Sequence, residues 1–273
     1  MFTTDKGGKQ GMSIFGKFFK SDVDVSTNNS QIINALKILQ NSGLPHDERV
    51  NALTKLKSIF LASNNKDDLR AISQSILRTA RNDKSIRIRE IALTTFDTII
   101  EMGGAQKASV VSEGAMPILK ETAESSDSDE AKELRQMAFR AMLRMAHFGI
   151  TDELLGFFAH ALNDKSANLR LALVRFFENL ARSADESMKK RIAKVSLPAL
   201  CEALNDPAIW THVAKTLGEL GKFALGAAPF LYDRLDHEEG ELAAGALRQV
   251  TGKEYGRKDK EKWDQWLKKS VVK

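Results

Sequence analysis

Only one cysteine, Cys201, occurs in 273 residues. An internal disulfide framework and a cysteine-based zinc site are therefore excluded, and a reducing compartment is compatible with the chain. Proline is scarce at 5 residues and aromatic residues make up 7%; with Ala, Leu, Lys and Glu abundant, that scarcity leans toward helices. No run of 18 apolar residues occurs, which excludes a conventional membrane-spanning helix. Hydrophobic residues at 42% and charged residues at 28% are ordinary for a soluble globular protein with apolar material enough for a core, and 273 residues allow one large domain or two small ones.

Catalytic signatures are missing as well. The five histidines, His46, His147, His160, His212 and His237, never pair at the i, i+3 or i, i+4 spacing that builds a metal site on a helix. There is no glycine-rich phosphate loop, no Gly-x-Ser-x-Gly, and no strand pattern to carry either. Acidic pairs such as Asp127/Asp129 and Glu238/Glu239 fall in hydrophilic, turn-like stretches, where solvated caps are the ordinary outcome. The expectation is a protein that is not an enzyme and uses no cofactor and no metal.

The net charge of +5 hints at nucleic acid until it is divided by region. Residues 1–30 carry four Lys against three Asp, and residues 248–273 carry nine Lys or Arg against four Asp or Glu, whereas residues 31–247 hold 28 basic and 29 acidic groups. A neutral body argues against a phosphate-binding groove along the fold.

What is present is a repeat. In Asp83-Lys84-Ser85-Ile86-Arg87-Ile88-Arg89 an Asp is followed five residues later by an aliphatic residue and six later by an Arg; Asp129 leads to Leu134-Arg135 and Asp164 to Leu169-Arg170 at the same spacing. From Gln31 onward the apolar spacing is helical, and breakers cut it into pairs. Ile32, Ile33, Leu36 and Leu39 mark a first helix ended by Ser42-Gly43-Leu44-Pro45, after which Asp47 is the expected cap of a second with Val50, Leu53, Leu56, Ile59 and Phe60. A second pair, bent at the Asp83–Arg89 turn, stops at Gly103-Gly104; a third runs from about Ala108 to Phe148 with a lengthened Ser125-Ser126-Asp127-Ser128 turn; a fourth spans Thr151 to Ala184. The marker arginines Arg49, Arg89, Arg135 and Arg170 stand 40, 46 and 35 residues apart, the size of a two-helix unit that must stack on its neighbours to bury its face. A fifth pair, with Trp210 read in its turn and Thr211 at the marker position, and a sixth starting Ala228-Pro229-Phe230-Leu231 lack the turn Arg.

These features resemble the HEAT-repeat family over residues 31–252. The resemblance rests on the three Asp-to-Arg spacings, on Pro117, Pro198 and Pro229, and on Ala203-Leu204-Asn205-Asp206 through Leu217-Gly218-Glu219-Leu220-Gly221. It implies an all-α, right-handed α-α superhelix, a HEAT-like solenoid of about six helical hairpins, in which Asp83, Arg89, Asp129, Arg135, Asp164 and Arg170 form a structural ladder along the stack. The ending Val250-Thr251-Gly252-Lys253-Glu254-Tyr255-Gly256 with Trp263 and Trp266 is similar to a closing motif of bacterial HEAT-repeat proteins, so residues 253–273 are expected to be a basic capping segment in which the two tryptophans cover the last apolar face.

Residues 1–30 are expected to be a tail. Within its short segment 12–20, Ile14, Phe15, Phe18 and Phe19 would share one side of a helix flanked by Lys17 and Lys20. That side is a candidate tether to a membrane surface or a partner; the alternative, given about two turns and Gly16, is a plain tail or a flap onto the body.

Positions five and nine residues beyond the marker arginines avoid the apolar stripe. In the middle of the stack they supply Arg140, Arg144, Arg175 and Asn179, a candidate partner-facing patch suited to an acidic peptide, because Arg grips planar acidic groups. The expected function is a non-catalytic, cytoplasmic scaffold or adaptor for a protein partner. The alternative is a nucleic-acid-binding HEAT-like protein, including the type that removes alkylated bases from DNA; it would need a basic face presenting Trp, Asp and Arg together, and Trp210 has no basic neighbour in sequence.

Overall fold

The computed structural model describes residues 27–124 and 129–270, with the side chains of residues 113 and 129–131 outside the description. Among the described residues the chain forms twelve α-helices and no strand, and it divides into two compact units, Met1–Thr122 and Ala123–Lys273. The segment 12–20 with Ile14, Phe15, Phe18 and Phe19 lies outside the described residues.

The first unit holds α1 (Ser30–Gln40), α2 (His46–Ala62), α3 (Lys66–Asn82) and most of α4 (Ile86–Glu124). Asn29 starts α1, its side-chain oxygen accepting from the Gln31 and Ile32 amides, and Asn65 starts α3 by accepting from Asp67 and Asp68. Each cap satisfies amides that the first helical turn leaves without a carbonyl partner. Asp47 does not cap α2. Pro45 takes that place at φ −52°, and Asp47 and Glu48 fall in the first turn, where carboxylates meet the positive end of the helix dipole.

At the Gly103-Gly104 stop α4 breaks, because Gly104 turns to φ +67°, ψ −174°, a region open essentially to glycine alone. Just beyond the break, Lys107 Nζ donates to the Phe60 and Leu61 carbonyls at 2.9 and 2.6 Å. A cation thus meets the unpaired carbonyls at the end of α2.

The second unit holds α5 (Asp129–Ala146), α6 (Asp152–His160), α7 (Ala167–Ser183), α8 (Glu186–Ala203), α9 (Trp210–Leu220), α10 (Ala228–Tyr232), α11 (Gly240–Thr251) and α12 (Lys260–Ser270). Thr151, Ser166 and Asp185 cap α6, α7 and α8 through their side-chain oxygens. Helices two places apart in the chain pack together: α6 against α8, α7 against α9, and α9 against α11. That is the contact pattern of stacked hairpins.

An aromatic column runs through this stacking. Phe139 lies 5.4 Å from Phe157 between ring centroids, and Phe158 lies 5.3 Å from Phe176 edge-on. Such geometry adds to the burial of each ring. The sixth hairpin departs from expectation: its first helix is only five residues long and follows a 3-10 segment, Gly221–Ala227. Gly221 at φ +58° ends α9, and Pro229 sits in the first turn of α10.

Candidate functional site

The marker residues meet across successive hairpins. In the first unit Arg49 pairs with Asp83, both almost fully buried, and reaches the Leu39 carbonyl at 3.4 Å. In the second, Arg135 donates to Asp164 at 3.2 Å, and Arg170 donates to Asp206 at 2.6 Å while also holding the Asp164 carbonyl at 2.6 Å. Arg89 instead donates to the Ala80 carbonyl at 2.8 Å; the side chain of Asp129 lies outside the description. Arg49 and Asp206 are thus members of the pairing that spacing alone did not assemble. Arg49 was visible as a marker arginine, and Asp206 closes a repeat that lacks its own turn Arg.

Burial pushes the Asp206 carboxyl up, but its bonds to Arg170 and to the Ala208 amide outweigh that and hold it below the usual value. Burial alone pushes the Arg49 guanidinium down.

The predicted patch lies on the second helices of two hairpins. Arg140 is exposed and Arg144 half-buried on α5; Arg175 and Asn179 are exposed on α7. Beside them stands a network that periodicity did not reveal. Glu178, only 9% exposed, accepts from Arg182 at 2.5 Å and lies 2.8 Å from His212 Nδ1 on α9, while Arg182 also reaches Glu219 at 3.3 Å. Burial pushes the Glu178 carboxyl up; His212 and Arg182 pull it down further, leaving it low. The one signal in the sequence was a Glu placed directly after Phe176-Phe177 on the buried stripe.

Trp210 is not in a turn. It is the first residue of α9, 7% exposed, with its ring 5.7 Å from that of His237. Trp263 is fully buried, donating to the Gly256 carbonyl at 3.1 Å and meeting Tyr255 edge-on at 5.0 Å, and half-buried Trp266 packs on it at 6.3 Å. Arg257 ties this ending to the preceding hairpin by donating to the carbonyls of Leu235 and His237 at 2.7 and 2.6 Å. Cys201 is buried, which pushes its thiol up to about 11, so at neutral pH it is a packed apolar group rather than a nucleophile. Among the described residues no group of three or more His, Cys, Asp or Glu side chains is arranged to hold a metal ion, and no helix is long and apolar enough to cross a membrane.

No family model matches the sequence, and none of the curated proteins does. Solved structures do match. A designed armadillo repeat protein in complex with the peptide (KR)4 superposes with a TM-score of 0.52 at 18% identity, over 80% of this chain and 99% of its own. Two engineered proteins superpose at 0.52 and 0.51, with 18% and 16% identity, each over 82% of this chain and nearly all of theirs. The fold is that of armadillo- and HEAT-type helical-repeat proteins.

Proposed function

We propose that the protein is a non-catalytic scaffold that binds a partner protein, and that Arg140, Arg144, Arg175 and Asn179 grip an acidic segment of it. The observation that carries this reading is the exposure of Arg140, Arg175 and Asn179 on second helices whose apolar residues are spent in the core. Stacked hairpins hold such side chains in register, which lowers the ordering cost of binding an extended segment. A repeat neighbour of the same fold was solved with a peptide of alternating Lys and Arg; an arginine-bearing face calls for the opposite charge.

The test is binding of a fluorescent acidic peptide, such as an octamer of alternating Glu and Ser, to the full chain and to the double variant Arg140→Glu, Arg175→Glu. A loss of tenfold or more in the variant, with its thermal transition unchanged, supports the patch. Equal affinity removes it. Duplex DNA binding with a steep salt dependence that disappears in the same variant would favour the nucleic-acid reading instead.

A further inference from the structure

The segment after α9 reverses the usual order of burial. Ala224, Ala227 and Ala228 are fully buried, whereas Leu225 and Phe230 beside them stand 46% and 44% exposed and Phe223 is half-buried. Small side chains fill the core here and larger apolar ones are left at the surface. One exposed Leu is ordinary, but several large apolar side chains left outside together mark a contact with something beyond the fold. The backbone makes the reversal: Gly221 turns at φ +58°, and Ala224, at φ −99°, ψ 22°, leaves helical values inside the 3-10 segment, so no regular stripe carries the large residues inward.

Cations border these apolar groups. Helix α8 packs against the 3-10 segment, and the two touch at Gly226, where a Cβ would stand 3.4 Å from Leu197 Cδ2. Between them lies a shallow, open depression of about 380 Å³ with Leu197, Pro198 and Phe223 on its walls. Lys190 and Lys194, four residues apart on one face of α8, line it too, and the described residues around it include no carboxylate. Lys222 adds a third cation, its Nζ 5.1 Å from the Phe223 ring centroid. Its pair with Glu186 is exposed on both sides, and such pairs hold weakly.

Two properties select the occupant. All three cations are lysines, compact charges on flexible stems, whereas a carboxylate fixed on a partner is better gripped by the planar fork of Arg. Flexible stems keep their ammonium groups among charged headgroups while neighbouring apolar side chains dip below them. The depression is shallow and Leu225 and Phe230 stand outside the core, so the face offers no enclosed slot for the side chain of a peptide. A lipid surface carrying negative headgroups over an apolar layer complements both the charge and the exposed apolar groups.

We infer that the face formed by α8, the 3-10 segment and the start of α10 seats on an anionic lipid surface, with Phe223, Leu225 and Phe230 entering the interfacial layer and Lys190, Lys194 and Lys222 meeting the headgroups. The contact involves neither the arginine patch on α5 and α7 nor the segment 12–20, so it stands or falls apart from them.

Co-sedimentation of the full-length protein with phosphatidylcholine vesicles, with and without phosphatidylserine, tests it. The protein should sediment with the anionic vesicles and not with the neutral ones. Lys190→Glu with Lys194→Glu, and separately Leu225→Asp, all exposed positions, should lower that partition at least tenfold with the thermal transition unchanged. Lys268→Glu with Lys269→Glu makes the same change of charge on α12 and should keep the parent's partition. Leu225→Cys, labelled with an environment-sensitive dye while buried Cys201 stays unlabelled, should shift its emission to the blue on anionic vesicles, and Lys215→Cys on α9 should not. No sedimentation, an equal loss in the α12 variant, or an unshifted dye at position 225 would each overturn the inference. So would an octapeptide of Glu and Leu that binds the parent and not Lys190→Glu, Lys194→Glu while vesicles do not bind, because the face would then belong to a protein partner.

Discussion

At the scale of single residues, burial separates the ion pairs that hold the fold from those that decorate it. Arg49 and Asp83 are about 5% exposed, whereas Lys222 and Glu186, also paired, are 66% and 76% exposed. Removing one partner of a buried pair strands the other charge, a loss of about 3–5 kcal/mol. Arg49→Ala should therefore shift a urea midpoint strongly, while Lys222→Ala should leave it where it was. Matching midpoints for the two variants would contradict the assignment.

Asp206 makes a pH-dependent case. Its folded value lies below the unfolded one, so its contribution is complete above the ordinary carboxylate range near 4 and is lost as pH falls through the lower, folded value. The stability gap between wild type and Asp206→Asn should be widest near neutrality and close in acid. A gap that widened on acidification would show that Arg170 is not the group holding the carboxylate.

At the scale of elements, the breaks matter as much as the helices. Gly104 has open space around its missing Cβ, so a side chain there meets no clash; what it meets is the backbone at φ +67°, ψ −174°. Gly104→Ala should destabilise by about 1–3 kcal/mol through strain alone, and Gly149→Ala, equally open and not at positive φ, serves as its control. Thermal melts of the pair decide it.

Much of this level was legible beforehand. The stops at Gly43-Leu44-Pro45 and Gly103-Gly104, the hairpin lengths and the tryptophan ending all follow from local spacing. The structure departs from local spacing where backbone geometry overrides side-chain preference: Pro45 rather than Asp47 ahead of α2, and the 3-10 segment that shortens α10.

At the scale of the molecule, contacts join each helix to near neighbours in the chain, as in α1 with α2, α2 with α3, and α10 with α11 and α12. Stability in such an arrangement is close to a sum of local terms. Trp263→Ala, which empties the largest fully buried side chain among the described residues, should cost about 3–5 kcal/mol. Its loss of hydrogen-exchange protection should concentrate in α10, α11 and α12 and leave α1 to α3 as they were. A uniform loss would mean that the chain unfolds as one cooperative body.

The sequence by itself determined that the chain is helical, that its helices come in pairs, and that a tryptophan-bearing segment follows the last pair. Those properties depend on periodicity and on breakers, which act over a few residues. Only the tertiary structure decided which Arg meets which Asp, 29 residues apart for Arg135 with Asp164 and 36 for Arg170 with Asp206. It alone brought Glu178 to His212. The rotation of one hairpin on the next chooses such encounters, and no local pattern encodes it.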